Sequence, residues 1–319
     1  MLTLDELRQS QKLVYQFMQP TPQYNYPLLD QTVGMNIWLK HENHAPTGAF
    51  KVRGGITMLN WLKHEKPEYE GIITATRGNH GQSQARAATA MGLKAQILVP
   101  IGNAKEKNQA MEAYGGEVIE YGQDFDEARE EALRRSSEGK LMMVSPFHKE
   151  LLRGVATYGL ELFEALSDLD RLYVPIGCGS GICSCILVRD LLGLDTEIIG
   201  VVSDNADAIK QSIEQGRLVE TETADTFADG LAVRIPVQEA FDIYSKGTAK
   251  IVSVSESEIA ESVRLIYRTT HNVAEGAGAA SLAAAIKDKQ ENQGKKIACV
   301  LSGGNIDTDV FLKVLQGQL

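Results

Sequence analysis

The sequence predicts an α/β protein of two domains, each a mostly parallel sheet covered by helices. Three observations carry this. Short apolar stretches alternate with helical stretches along nearly the whole chain, the pattern of strands joined by crossover helices. Small-residue turns follow several of these strands directly, at the ends where open α/β sheets bind ligands. A length of 319 residues suits two domains, and there are more strand candidates than one small sheet needs.

Each element has a local reason. Thr3 with Glu6 is a capping-box pattern that opens a helix over 4–18, stopped by Pro20-Thr21-Pro22. Asn36–Lys40 reads as a strand, Ala45–Gly48 as a turn and Val52–Lys63 as a helix. The repeat then begins. Ile72–Ala75 leads through Gly78-Asn-His-Gly81 into an alanine-rich helix, and Ala95–Pro100 precedes another. Glu117–Tyr121 precedes the charged helix Asp124–Gly139, whose acids mark a solvated face. Further strands are expected at Leu172–Ile176, Glu197–Ser203, Ile251–Val254 and Ile297–Leu301. A domain boundary is expected near residue 148. An appended regulatory domain after the last strand and helix is not expected.

Composition narrows the function. The formal charge of −10 and the lack of a Lys/Arg cluster speak against nucleic acid as a partner. The N-terminus lacks the basic start and apolar core of a signal peptide. The most apolar stretch, Val273–Ile286, is broken by Glu275 and too short to span a bilayer. Of the four cysteines, Cys178, Cys183 and Cys185 crowd one segment, and no Cys/His set has zinc spacing, so reduced thiols and a cytoplasmic protein are expected. Cys183 and Cys185 read as small core residues, and His41, His44 and His148 as structural.

Four loops carry candidate chemistry. Ile176-Gly-Cys-Gly-Ser-Gly-Ile182 is either a phosphate cradle at a helix N-terminus or a tight strand–helix turn. It has neither the dinucleotide nor the P-loop spacing. Lys51, between Phe50 and Val52, is either a desolvated amine fit for a Schiff base or an ordinary surface lysine. Thr76-Arg-Gly-Asn-His-Gly-Gln82 either holds a carboxylate on its amides or only caps a helix. Ser302-Gly-Gly-Asn305 offers a hydroxyl to a ring nitrogen or is one more turn.

Taken in order, these loops resemble the pyridoxal-phosphate enzymes of the tryptophan-synthase β (type II) fold, and within them the serine/threonine dehydratase and serine racemase group. The resemblance runs from Thr21-Pro22 to Gly303-Gly304. Its most specific part is Lys40-His-Glu-Asn-His-Ala-Pro-Thr-Gly-Ala-Phe-Lys-Val-Arg-Gly54. It implies pyridoxal 5′-phosphate as cofactor, bound covalently by Lys51, with Phe50 by the ring and Asn79 at the 3-oxygen. Gly177, Cys178, Gly179, Ser180 and Gly181 would hold the phosphate. Ser302 would meet the pyridine nitrogen, and Glu275 matches the family's active-site glutamate. Thr76, Arg77, Gly78, Asn79 and His80 would bind the substrate carboxylate. Residues 1–50 and 149–319 would form the large cofactor-binding domain, and 51–148 the small domain closing over the active site. The implied reaction is β-elimination from a 3-hydroxy amino acid, with Lys51 as the base at Cα, giving a 2-oxo acid and ammonia. A homodimer is expected.

Three departures shape the expectation. The racemases have a serine where Arg77 stands, and arginine cannot be deprotonated, so dehydration is favoured over racemisation. Arg77 alternatively suits an acidic group on the substrate. Several relatives hold a cation through a Glu and an Asp; Val202 and Ala208 stand at those positions, so no metal is expected, although Asp204 and Asp207 lie nearby. Ser145-Pro-Phe-His148 and Gly154-Val-Ala-Thr157 replace common family segments, which points to a substrate other than simple threonine, phenylserine and hydroxyaspartate among the candidates. Racemisation or β-replacement on the same fold, and a nucleotide-binding regulatory protein, are the competing readings.

Overall fold

The computed structural model describes residues 2–319. The capping box forms: Thr3 Oγ1 accepts from the Glu6 amide at 3.3 Å, and Glu6 Oε2 accepts from the Thr3 amide at 2.8 Å. The helix it opens, α1 (Leu4–Val14), is shorter than the expected 4–18. Its continuation tightens into i→i+3 bonds, Gln16 N to Leu13 O and Phe17 N to Val14 O, and unwinds before Pro20.

The chain divides into two compact units, one of residues up to Gln19 with Ala45–Thr157, the other of Pro20–His44 with Tyr158–Leu319. These limits differ from the expected 51–148 at both ends. Val14 and Met18 pack with Val52 and Ile56 of α3 (Lys51–Glu65), so the N-terminal helix belongs to that core. The first part of α7 (Lys149–Ala165) is tied to α3 as well. Thr57 Oγ1 donates to Glu150 O at 2.6 Å, and the fully buried Arg53 donates to Thr157 Oγ1 at 3.0 Å.

The first unit is built on a four-stranded parallel sheet of β3 (Gly71–Ala75), β4 (Lys94–Val99), β5 (Glu117–Glu120) and β6 (Leu141–Met143), in the order β5-β4-β3-β6. Buried on both faces, β3 reads as an unbroken run without alternation. The chain runs outward from β3 through β4 to β5 and returns to place β6 on the other side of β3. The sheet's topological switch point is therefore between β3 and β6. α4 (Asn79–Met91) packs on β3 and β4 and against α3, while α6 (Phe125–Glu138) packs on β3, β4 and β6.

The second unit has a six-stranded sheet. Its strands are β1 (Gln23–Asn25), β2 (Ile37–His41), β7 (Arg171–Pro175), β8 (Glu197–Ser203), β9 (Lys250–Val254) and β10 (Ile297–Leu301). Their order is β1-β2-β10-β7-β8-β9, with only β1 antiparallel. Here the switch point lies between β7 and β10. Tyr173, Ile199 and Val201 face a core shared with α11 (Glu256–Thr270) and the almost wholly buried α12 (Gly276–Lys287). Gly200 points to the opposite face, toward Ile182 of α8 (Ser180–Leu192). β1, β6 and α2 (Pro27–Val33) were not expected. No helix among the described residues is long and apolar enough to cross a membrane.

Candidate active site

In the first unit, two of the predicted loops meet through α3 and α4. Lys51 is the first residue of α3 and Phe50 its N-cap; Lys51 Nζ lies 5.1 Å from the Phe50 ring centroid. Lys51 is pinned from behind, since Ser83 Oγ of α4 donates to its carbonyl at 2.6 Å. That contact requires glycine at 55: a Cβ there would stand 2.4 Å from Ser83 Oγ and 2.8 Å from Ser83 O. The sequence reading missed Ser83, because its partner lies 32 residues away.

The loop after β3 sits at the switch point of its sheet. Thr76 is buried and its hydroxyl accepts from the Gly78 amide at 3.1 Å. α4 starts at Asn79 on Gly78, with no side-chain cap. The first amides of a helix have no partner inside it, so this helix start is suited to an anion. His80 is buried, and its Nε2 donates to Val144 O, beyond β6, at 3.4 Å. Burial, and then the nearby charge of Lys51, push its pKa down to about 3. His80 is therefore neutral, and only its amide and Nδ1 remain for a ligand. Arg77 is exposed.

In the second unit, the glycine loop follows β7 and the serine loop follows β10, on the two sides of that sheet's switch point. Gly177 passes so close to the turn at Asp229–Leu231 that a Cβ would stand 2.2 Å from Gly230 O. Gly179 has φ +95°, and α8 begins at Ser180 without a side-chain cap. Tyr158, buried in the second half of α7, donates from its hydroxyl to Gly181 O at 3.0 Å and receives the Cys185 thiol at 3.1 Å. Burial pushes the Cys185 thiol up to about 12, and those of Cys183 and Cys299 higher. Cys178 is half-buried, and all four cysteines are free.

Ser302 is buried directly after β10. Glu275 is the N-cap residue of α12, and its amide donates to Gly303 O at 3.1 Å, which joins the glutamate's loop to the serine's. The start of the lysine motif serves the fold. Buried Lys40 bonds Glu161 at 2.6 Å and Thr21 O at 2.7 Å, and Glu42 accepts from the Thr21 hydroxyl at 2.5 Å. His41 is buried against Tyr26 and Asn43 and stacked on His44; burial first, then His44, pushes its pKa down to about 4. His148 accepts from the Glu150 amide at 3.2 Å, a cap for α7. Among the described residues no three His, Cys, Asp or Glu side chains form a group that could hold a metal ion. Asp207 accepts instead from Gln211 at 2.7 Å.

Each unit carries groups suited to pyridoxal phosphate. An uncapped helix N-terminus with glycines that a Cβ would close suits a phosphate, a buried hydroxyl suits a neutral ring nitrogen, and a lysine stands at a helix start. Such features define a class of enzyme that binds a phosphorylated aldehyde cofactor. Comparison with known proteins gives the family: residues 14–303 match the pyridoxal-phosphate dependent enzyme family, and the chain belongs to it. An L-threonine ammonia-lyase of Thermotoga maritima is 34% identical over 99% of this chain and 78% of its own length. A catabolic L-threonine dehydratase of Staphylococcus aureus is 30% identical over 96% and 90%. A biosynthetic L-threonine dehydratase of Haemophilus influenzae is 32% identical, and this chain spans 58% of it. Among solved structures, the processed threonine deaminase isoform 2 of Solanum lycopersicum superposes with a TM-score of 0.91 at 29% identity, covering 99% and 94% of the two chains. Maize serine racemase superposes with 0.91 at 25%, covering 99% and 97%.

Proposed function

We propose that the protein is a pyridoxal-phosphate-dependent ammonia-lyase that converts a 3-hydroxy amino acid to a 2-oxo acid and ammonia by β-elimination. The observation that carries this is the complete lysine motif of residues 40–54, with Lys51 at the start of α3, in a chain whose relatives of 30–34% identity are named threonine ammonia-lyases and dehydratases.

When bound, the cofactor supplies the electron sink for the carbanion at the substrate's Cα. The remaining roles belong to the chain. Gly177–Gly181 and the α8 N-terminus hold the phosphate on backbone amides, where the helix dipole favours an anion. The Ser302 hydroxyl would serve the pyridine nitrogen, and unlike a carboxylate it would not impose a proton there. Phe50 and Asn79 of the first unit and Glu275 of the second are the further residues that would serve the cofactor. The α-carboxylate of the substrate lies on the amides that follow Thr76, with Asn79 beside it, an orienting effect that lowers the barrier entropically. The Lys51 amine would act as the base that removes the Cα proton. Arg77 cannot return a proton to the second face, because guanidinium stays protonated. That favours elimination over racemisation. A homodimer, and a cytoplasmic location in keeping with free cysteines, complete the reading.

Lys51→Ala is the direct test. It is expected to remove both the covalent cofactor absorbance and 2-oxo acid release. A variant that keeps the absorbance would remove Lys51 from its role.

A further inference from the structure

We propose that the substrate carries a second anionic group, a carboxylate on Cβ, and that Arg77 and Lys107 recognise it. This rests on the dehydratase reading and narrows it to dicarboxylic 3-hydroxy amino acids of the 3-hydroxyaspartate type.

Arg77 lies within the loop assigned to the substrate's α-carboxylate, one residue before Gly78. Among the described residues, Arg77 and Arg129 are the two arginines whose side chains have neither a hydrogen bond nor an ion pair. Arg129 belongs to the charged, solvated surface of α6. Other arginines are spent on nearby acids: Arg134 and Arg135 on Glu131, Arg171 on Glu197, Arg264 on Glu261. The Arg77 backbone is nevertheless held. Asn103 Nδ2 donates to its carbonyl at 3.3 Å and is itself fixed to Asn108 Oδ1 at 2.6 Å. A guanidinium with all its donors available on a braced backbone suits bidentate carboxylate binding.

Lys107 is a second cation whose stem lies against Gly78, although unlike Arg77 it already has an interaction of its own. Its Cδ lies 3.1 Å from where a Cβ of residue 78 would stand, so its stem runs along the glycine. It belongs to the first turn of α5 (Lys105–Ala113), which also holds Lys105 and a single acid, Glu106. Ala104, the N-cap, makes no side-chain cap there. Cations in a first turn oppose the helix dipole, and a placement that local rules disfavour is expected where function requires it. In a chain of net charge −10, a cation next to Gly78 in sequence and the stem of another packed on it place positive charge at the loop assigned to the α-carboxylate. A methyl substituent, as in threonine, would leave the Arg77 donors unused.

The reaction balances without a further reactant. The Cα–H and Cβ–O bonds break and water leaves as the C=C bond forms. The enamine then takes up water and releases ammonia and a 2-oxo dicarboxylic acid.

The test uses the cofactor-loaded protein with L-aspartate and L-alanine. These differ in the second carboxylate and lack a β-leaving group, so they bind without elimination. Dissociation constants come from titrating the cofactor absorbance. Aspartate is expected to bind roughly 10- to 100-fold more tightly, the range of a charge-assisted pair, and Arg77→Gln to bring that ratio close to one. Lys107→Met, which keeps the stem against Gly78, is expected to cut it several-fold. The kcat/KM ratio of 3-hydroxyaspartate to threonine should follow. Equal affinities, or a ratio that Arg77→Gln leaves unchanged, would overturn the proposal. Threonine turned over with the higher kcat/KM would overturn it and leave the dehydratase reading standing. Failure of serine, threonine and 3-hydroxyaspartate alike to yield 2-oxo acid would refute that reading itself.

Discussion

Replacing Gly278 by alanine sets two effects of opposite sign against each other. Gly278 is buried in the first turn of α12. By helix propensity alone, Gly→Ala would stabilise by at most about 0.5–1 kcal/mol, the value for a helix interior. The new Cβ, however, would stand 2.3 Å from Gly303 O and 3.2 Å from Gly303 N. Contacts below 3.0 Å essentially never occur, so the 302–304 segment must retreat from α12 by at least about 0.7 Å. Overpacking of that kind costs about 1–3 kcal/mol. The same retreat weakens the Glu275 N to Gly303 O bond of 3.1 Å, worth about 1 kcal/mol. The clash wins, with a net loss of about 1–3 kcal/mol and a melting temperature lower by roughly 2–5 °C. Ser302 moves with its neighbour, and sub-ångström misplacement of a positioning group lowers turnover by roughly 10- to 100-fold. Calorimetry of the cofactor-free protein and a 2-oxo acid assay of the loaded one read the two consequences separately. A Gly278→Ala protein that melts at or above the wild-type temperature, with turnover intact, would refute the close approach of α12 to the serine loop.

Other consequences follow from burial and hydrogen bonding. Of the four thiols, only Cys178 should react with an aromatic disulfide in the folded protein and all four after denaturation, since the other three are buried with raised pKa values; rapid labelling of a second thiol would contradict this. Tyr158→Phe removes the donor to Gly181 O and the acceptor for Cys185, and should cost about 1–2 kcal/mol and weaken cofactor binding, read by denaturant titration and absorbance. Acid should destabilise the fold through His80, whose pKa drops from an ordinary 6.5 to about 3 on folding. Below pH 6.5 the unfolded chain takes up a proton that the folded one refuses, so stability falls by about 1.4 kcal/mol per pH unit for this one group as pH drops toward 3. His41 acts in the same direction. His80→Gln should flatten denaturation midpoints measured between pH 6.5 and 4.5, and an unchanged slope would refute the buried neutral histidine.

What the sequence made legible was contiguous. The glycine loop, the lysine motif and the loop 76–80 are short runs, each after or beside a strand whose apolar pattern is plain. What it hid came from packing between distant segments. Ser83, Val144, Tyr158 and Gly230 touch their partners across long sequence separations, and nothing in their neighbours announces it. The strands Gln23–Asn25 and Leu141–Met143 are too short to show a period. Pro27 at the first turn of α2 was a readable signal for a helix start. The limits of the two units follow α1 and the first half of α7, whose attachment to α3 depends on tertiary contacts such as Arg53 to Thr157.

The central claim is an elimination chemistry, and product analysis tests it most directly. Purified, cofactor-loaded protein would be incubated with L-serine, L-threonine, phenylserine and 3-hydroxyaspartate, with and without a chelator, while 2-oxo acid and ammonia are quantified together. The account predicts equimolar 2-oxo acid and ammonia from at least one of them, unaffected by chelation. A loaded protein that returns the opposite enantiomer, or exchanges the β-substituent without releasing ammonia, would contradict it.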